Sequence, residues 1–340
     1  MYVVVIDTSV ITSDVIKSAK GGLPSPLYLA METGLVRGYM AHHTWAEVPR
    51  VLAKRALRAN CDLAVVEKLW WDRYVKLIRF VPTADLPPGD PQLEKALGAR
   101  DASDLPTLKL ASLIAPAVVL AADRDLVDIG LAYERWWDVP EAIRKMVAGQ
   151  GGTELAARVV FGSAYATAAL VRGTVRALQR PWIAAVVLAA AAVAAVTRDM
   201  WYPHLRERAG QASPTVRDAA ASAGRWVLGR FEDYGRALAV WSAARRGSPG
   251  QTLTHAVARQ LAASPEPMTR TEIADRLRAQ VVARGHQAVM TDLQATLNRH
   301  QAFCRVTRHR WQLGKDDAQV SGYVIPALPS PAGQTDHNEP

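Results

Sequence analysis

The chain has 340 residues, 49% hydrophobic and 21% charged, which excludes a disordered chain and leaves room for two or three domains. Its formal net charge of +9 favours an anionic partner, nucleic acid or an acidic membrane surface, although the abundance of Arg and Ala also fits a GC-rich bacterial genome. Cys61 and Cys304 lie far apart, which predicts free thiols in a reducing cytoplasm rather than a disulfide, and the N-terminus runs into a strand without a basic leader, so no signal peptide is expected.

Residues 1–138 alternate strand-like and helix-like runs. Tyr2 to Ile6 is a mostly β-branched run that reads as a strand buried on both faces, and it ends at Asp7. Ser13 to Lys20 reads as a helix stopped by Gly21-Gly22, and a second helix restarts at Ser25-Pro26. A short strand near Leu35 to Met40 precedes a long helix, His43 to Arg58, which carries Glu47 in its first turn. Further on come a helix from Asp62 to Lys76, a strand Leu77 to Val81, a Pro/Gly loop at 87–91, and helices near Gln92 and from Asp104. The apolar run Ala117 to Ala122 reads as the last strand and ends at Asp123, with Asp125 two residues beyond. Interleaved strands and helices predict an α/β fold with a parallel sheet covered on both faces.

Residues 139–248 are rich in Ala and Arg and read as helical. Trp182 to Val196 carries no charge. As a helix it rises ~22 Å at ~1.5 Å per residue, short of a ~30 Å hydrocarbon core. Trp182, Trp201 and Tyr202 fit interfacial anchors, but arginines flank the run on both sides and set no orientation. A buried or oligomer-forming helix is therefore preferred to a membrane span, and a homo-oligomer is expected. Arg245 to Gly250 reads as a linker. In 251–314, Thr252 to Ala263 reads as one helix, Thr269-Arg-Thr-Glu272 as a capping box opening a second, and Thr291-Asp-Leu-Gln294 as a capping box opening a third. Phe303 to Val306 and Trp311 to Leu313 flank Thr307 to Arg310 as a β-hairpin. Residues 315–340 are rich in Pro and Gly and predict a disordered tail.

Asp7, Glu47, Asp104 and Asp123 all stand at element boundaries, where side chains can meet over the carboxyl edge of a parallel sheet, the usual ligand position in such folds. Converging, they would form a set of hard oxygen donors suited to Mg²⁺ or Mn²⁺, with Asp125 assisting. Such an ion can activate water and neutralise charge on a phosphodiester. Each acid taken singly also fits a plain cap or surface role. No paired Cys/His spacing suggests zinc, and no phosphate loop or serine elbow is present.

These stretches carry a resemblance. Val-Val-Ile-Asp7-Thr-Ser-Val, Thr-Trp-Ala-Glu47-Val, Asp104-Leu-Pro-Thr-Leu-Lys-Leu-Ala and Leu-Ala-Ala-Asp123-Arg-Asp125-Leu resemble the motifs of PIN domains, including the toxin-type PIN ribonucleases. The resemblance implies a Rossmann-like sheet, metal-dependent endonucleolytic cleavage of single-stranded RNA, and Asp7, Glu47, Asp104 and Asp123 as the acidic residues, with Ser9 beside the first. Asp101 is an alternative or addition to Asp104. Ala122 departs from the polar residue that many relatives place just before the last acid. The chain is much longer than the stand-alone toxins, so a toxin role does not follow.

The unit at 251–314 resembles winged-helix domains, on Pro267-Met268-Thr269 followed by Glu272-Ile273-Ala274. That implies nucleic-acid or protein binding, with Gln294, Asn298 and Arg299 on the groove-facing helix and Arg308 to Arg310 on a basic wing tip. The expectation is a bacterial cytoplasmic ribonuclease acting on RNA with Mg²⁺ or Mn²⁺, its winged helix contacting DNA, RNA or protein. The competing class is a non-catalytic nucleic-acid-binding or regulatory protein with a degenerate PIN domain.

Overall fold

The structure, a computed structural model, describes residues 1–22, 24–148, 229–230, 232–248, 250–277, 285–316 and 320. It divides into two compact units, Met1–Arg144 with Ala237–Pro340, and Lys145–Arg236. In the second unit residues 145–148, 229–230 and 232–236 are helical, and Arg236 pairs with Asp233 at 2.8 Å. The apolar run 182–196 lies outside the described residues, as does most of the expected tail. Among the described residues no helix is long and apolar enough to cross a membrane.

The first unit is built on a mostly parallel five-stranded sheet flanked by helices. Strands β1 (Tyr2–Ile6), β2 (Val36–Ala41), β3 (Ile78–Val81) and β4 (Ala117–Leu120) are parallel, in the order β3-β2-β1-β4, and β5 (Arg245–Arg246) adds antiparallel to β4. The expected linker at 245–250 thus begins inside the sheet. β1 is central, and its Val4, Val5 and Ile6 are at most 1% exposed, as an uninterrupted β-branched run demands. The chain leaves β1 for β2 on one side and returns to β4 on the other. Asp7 and Asp123 therefore flank the point where strand order reverses.

The helices follow the expected order with shifted ends. α1 (Thr8–Gly21) begins directly after β1, five residues earlier than the apolar pattern suggested, because the Asp7 carboxylate caps it by accepting from the Ser9 N–H. α2 (Pro26–Glu32) packs over β2, where Gly38 is required: a Cβ there would stand 2.7 Å from Ile6 Cδ1 and 3.1 Å from Met31 Sδ. α3 (Thr44–Arg58) is followed by α4 (Leu63–Leu69), which passes into a π-turn at Trp70–Tyr74 and a 3₁₀ turn at Val75–Leu77 instead of continuing to Lys76. The π-turn buries Trp70 and Tyr74 together, and Tyr74 Oη lies 2.9 Å from Asp14 Oδ2 and 2.8 Å from Ser18 Oγ. α5 (Pro91–Gly98), a 3₁₀ turn at Ala102–Asp104, α6 (Leu105–Leu113) and α7 (Arg124–Asp128) complete the region.

The C-terminal segment forms α8 (Leu253–Ala263), β6 (Met268–Thr269), α9 (Arg270–Arg276), α10 (His286–Arg299), β7 (Phe303–Thr307) and β8 (Arg310–Leu313). The capping box at Thr269 and Glu272 is present. The one expected at Thr291 is not. α10 starts at His286, and the Thr291 hydroxyl bonds the Gln287 carbonyl one turn back, as a mid-helix threonine does. The hairpin β7–β8 gains β6 as a third strand, in the order β6-β8-β7.

This segment is not a separate body on a tether. α8 lies against β1, β2 and α6, and one continuous core joins Val5, Tyr39, Val81 and Leu108 of the parallel-sheet region to Val257, Leu261, Ile273, Leu293, Trp311 and Leu313. Arg37 donates to the Ser264 and Pro265 carbonyls, and Arg79 pairs with Asp316 at 3.0 Å. Lys315, expected in the tail, forms a β-bridge with Phe80 on the outer edge of β3 through bonds of 2.8 and 2.9 Å. Gly314 permits this reversal with φ of +74°, a conformation that side chains with a Cβ resist.

Candidate functional site

Four acids from four separate elements lie beyond the carboxyl ends of β1 and β4, near enough for the charges of Asp7, Asp123 and Glu47 to act on Asp104. Asp7 follows β1 and is 6% exposed. Its Oδ2 accepts from the Ser9 N–H at 2.8 Å. Burial raises its pKa against the lowering effect of the Ser9 and Thr8 donors, and the Glu47 charge raises it further. Glu47 enters from the first turn of α3, where its Oε2 accepts from the Thr8 hydroxyl at 3.0 Å and stands 3.8 Å from His43 Nε2. Asp123 caps α7, with Oδ1 accepting from the Asp125 N–H at 2.8 Å.

Asp104 is the most perturbed of the set. Its pKa is pushed up to about 7, first by burial and then by the negative charges of Asp7, Asp123, Asp101 and Glu47. That order of causes places all four carboxylates within electrostatic reach of Asp104. Its Oδ2 is buried with no hydrogen-bond partner, and its side chain makes no capping bond although it precedes α6. A plain cap role therefore does not explain Asp104. Asp101 differs: it is exposed, caps the 3₁₀ turn through the Ser103 N–H at 2.8 Å, and has a pKa lowered first by the Ser103 side chain and then by that N–H. Asp104, not Asp101, is the carboxylate turned into the cluster. Asp125 is turned outward, paired with Arg100 at 3.4 Å, and Arg100 also holds Asp128 at 3.1 Å.

Neighbouring groups fix the geometry. The Ser9 hydroxyl accepts from the Ala122 N–H at 2.9 Å and so ties the end of β1 to the end of β4. Arg55 donates to the Ser9 carbonyl at 3.1 Å and to the Ser13 hydroxyl. His43 has its pKa lowered by burial, with Glu47 and Asp7 acting in the opposite direction. Thr8, His43 and Arg55 were not singled out from sequence. The available signal was the spacing of His43, Glu47 and Arg55 at multiples of four along α3, which puts them on one helix face.

The donor set is all oxygen, and an orphaned buried carboxylate oxygen among repelling acids fits a hard divalent cation such as Mg²⁺ or Mn²⁺. Among the described residues, no group of three or more His, Cys, Asp or Glu side chains is placed to hold a metal ion.

The residues expected to touch nucleic acid lie in the C-terminal segment, on α10 and the β7–β8 hairpin. On α10, Gln294 is half-buried while Asn298 and Arg299 are exposed. Arg308 is exposed at the hairpin turn. Arg310 is engaged within the fold, donating to the Pro267 carbonyl at 2.7 Å and standing 3.9 Å from Glu272. No family model matches the chain, and neither a curated protein nor a solved structure matches it.

Proposed function

We propose that this protein is a metal-dependent ribonuclease of the PIN type that hydrolyses single-stranded RNA. The observation that carries the reading is the placing of Asp7, Glu47, Asp104 and Asp123 at the strand-order reversal, where burial first and the neighbouring negative charges next push the Asp104 carboxyl to about 7. Structural ion pairs bring opposite charges together; this cluster gathers like charges, which a fold tolerates where a cation or a reaction requires them. Asp7, Glu47, Asp104 and Asp123 would hold Mg²⁺ or Mn²⁺, which when bound supplies an activated water and neutralises charge on the phosphate. Thr8 and the Ser9 N–H lock Glu47 and Asp7 through one oxygen each, so the carboxylates are oriented before substrate arrives. Ser9 ties the end of β1 to the end of β4 beneath them, and Arg55 ties α3 to the start of α1.

The C-terminal helices and three-stranded sheet fit the winged-helix parts list, and the shared core makes this module part of the enzyme body in the same reading. The experiment is metal-dependent cleavage of single-stranded RNA by the full chain, compared with Asp104→Asn. Cleavage that needs Mg²⁺ or Mn²⁺ and disappears in the variant is expected. Tight RNA or DNA binding without cleavage under any divalent metal would turn the reading to a non-catalytic nucleic-acid-binding protein.

A further inference from the structure

The C-terminal module reaches the acidic edge of the sheet as well as its face. The carboxyl ends of β3, β2, β1 and β4 stand in a row, with neighbours about 4.8 Å apart. Asp7 and Asp123 follow β1 and β4, His42 and His43 follow β2, and Asp85 lies beyond β3. Asp85 holds the end of α10: its Oδ2 accepts from the Gln301 N–H at 2.7 Å, and its carbonyl lies 3.0 Å from His300 Nδ1. Arg299, the last residue of α10, is exposed there. The β-bridge to Phe80 brings Lys315 to the same side, and its charge reaches His42, whose pKa is lowered first by burial and then by Lys315.

Asp7 and Asp123 thus stand at the β1–β4 end of the row; at the β3 end, roughly 10 Å away across two strand spacings, Asp85 accepts from the Gln301 N–H and Asp316 pairs with Arg79, while Arg299 and Lys315 add two cations. A phosphate chain is attracted by these two cations, which offer it an approach from the β3 side. The hairpin tip lies elsewhere. Arg310, beside the turn, bonds the Pro267 carbonyl, and Pro265 two residues away is held by Arg37 in the amino half of β2, opposite the acids.

We infer that the end of α10 and the segment after β8 form the track along which a single-stranded RNA backbone enters the acidic site, with Arg299 and Lys315 as its phosphate contacts. The inference rests on the ribonuclease reading for the identity of the substrate, but its test does not require cleavage. Binding of a labelled oligouridylate of about twelve nucleotides is measured by fluorescence anisotropy in EDTA across a salt series. The proteins are the full chain, Arg299→Gln, Lys315→Gln, the double variant, and Arg58→Gln and Arg308→Gln for comparison. Thermal melts establish that each variant is folded.

On single strands each phosphate contact contributes ~0.7 to the slope of log affinity against log salt, which is about fivefold at 0.1 M relative to 1 M. Arg299→Gln and Lys315→Gln should each weaken binding about fivefold and flatten the slope by ~0.7, and the double variant about 25-fold. Arg58→Gln, the same charge loss at the far end of α3, should bind as the parent does. Oligodeoxythymidylate should show the same dependence on the two residues, because the contacts are to phosphate; a dependence confined to RNA would overturn that assignment. Unchanged affinity in the folded double variant, or a loss that follows Arg308→Gln or Arg58→Gln equally, would overturn the track. Metal-dependent cleavage with that affinity unchanged would sink the track alone. Two-residue dependence without cleavage would keep the track and remove the ribonuclease reading.

Discussion

Replacing Asp104 with Asn tests whether burial and the neighbouring acids make the Asp104 charge costly to the fold. Asp104 makes no capping bond and its Oδ2 has no hydrogen-bond partner, so the near-isosteric amide removes a charge without removing a contact. The carboxyl pKa is raised from 3.8 to about 7 in the folded chain. A group whose folded pKa is raised favours folding most below its unfolded pKa and loses that contribution as pH rises through the folded value. The parent should therefore lose stability relative to Asp104→Asn between about pH 4 and pH 7, and the difference should be constant above. The full shift corresponds to roughly 4 kcal/mol, and solvent screening at this half-buried group reduces it to about 2 kcal/mol. At about 2–4 °C per kcal/mol, the variant should melt about 4–8 °C above the parent at pH 8 in EDTA, and by about a third of that at pH 5. Scanning fluorimetry at the two pH values measures this directly. Added Mn²⁺ should reverse the order, stabilising the parent and leaving the variant almost unmoved. A variant less stable than the parent at pH 8 in EDTA, or a difference that ignores pH, would refute the reasoning that burial and the neighbouring acids disfavour the charge on Asp104.

Other expectations follow from the packing and the supporting bonds. Leu261 on α8 is 3% exposed in the core shared with the parallel sheet, so Leu261→Ala should cost about 2–5 kcal/mol in chemical denaturation. For the same reason, a truncated chain of residues 1–144 should lack a cooperative unfolding transition, since it exposes the face around Val5, Tyr39 and Leu108; a sharp transition would contradict the shared core. Ser9→Ala removes the acceptor for the Ala122 N–H and should cost about 1 kcal/mol while lowering the cleavage rate more than the apparent substrate affinity. Tyr74→Phe leaves the buried Asp14 and Ser18 without the tyrosine hydroxyl and should cost about 1–3 kcal/mol with cleavage unaffected in the folded fraction.

Much of this was legible in the sequence, and the remainder has identifiable causes. The strands were readable because a parallel sheet buried on both faces demands continuous β-branched runs such as Val3 to Ile6. The four acids were readable because strand ends and helix starts are where Asp and Glu have structural reasons to occur, and their chain order matched a known pattern. The same reasons hid which acid mattered more: Asp101 and Asp104 look equivalent in sequence, and only the turn that exposes one and buries the other separates them. Thr291 misled because a capping pattern inside a helix is chemically identical to one at its start. The docking of the C-terminal segment was invisible because α8 has the composition of an ordinary amphipathic helix, and nothing local in Val257 or Leu261 says that the partner lies more than two hundred residues away on β1 and β2. Residues 182–196, whose role the sequence left between packing and a membrane, lie outside the described residues.

The central claim is that the cluster around Asp104 is a metal-dependent nuclease centre. The most direct measurement is cleavage of a mixed single-stranded RNA pool by the purified full chain in Mn²⁺ or Mg²⁺, with EDTA and Asp7→Asn as controls. Asn caps a helix as well as Asp, so the variant keeps the start of α1 while losing one charge of the site. The account predicts cleavage with either metal, none in EDTA, and a loss of at least a hundredfold in Asp7→Asn on the scale of removing a first electrostatic partner. Cleavage that persists in EDTA or in Asp7→Asn at the parent's rate would contradict it.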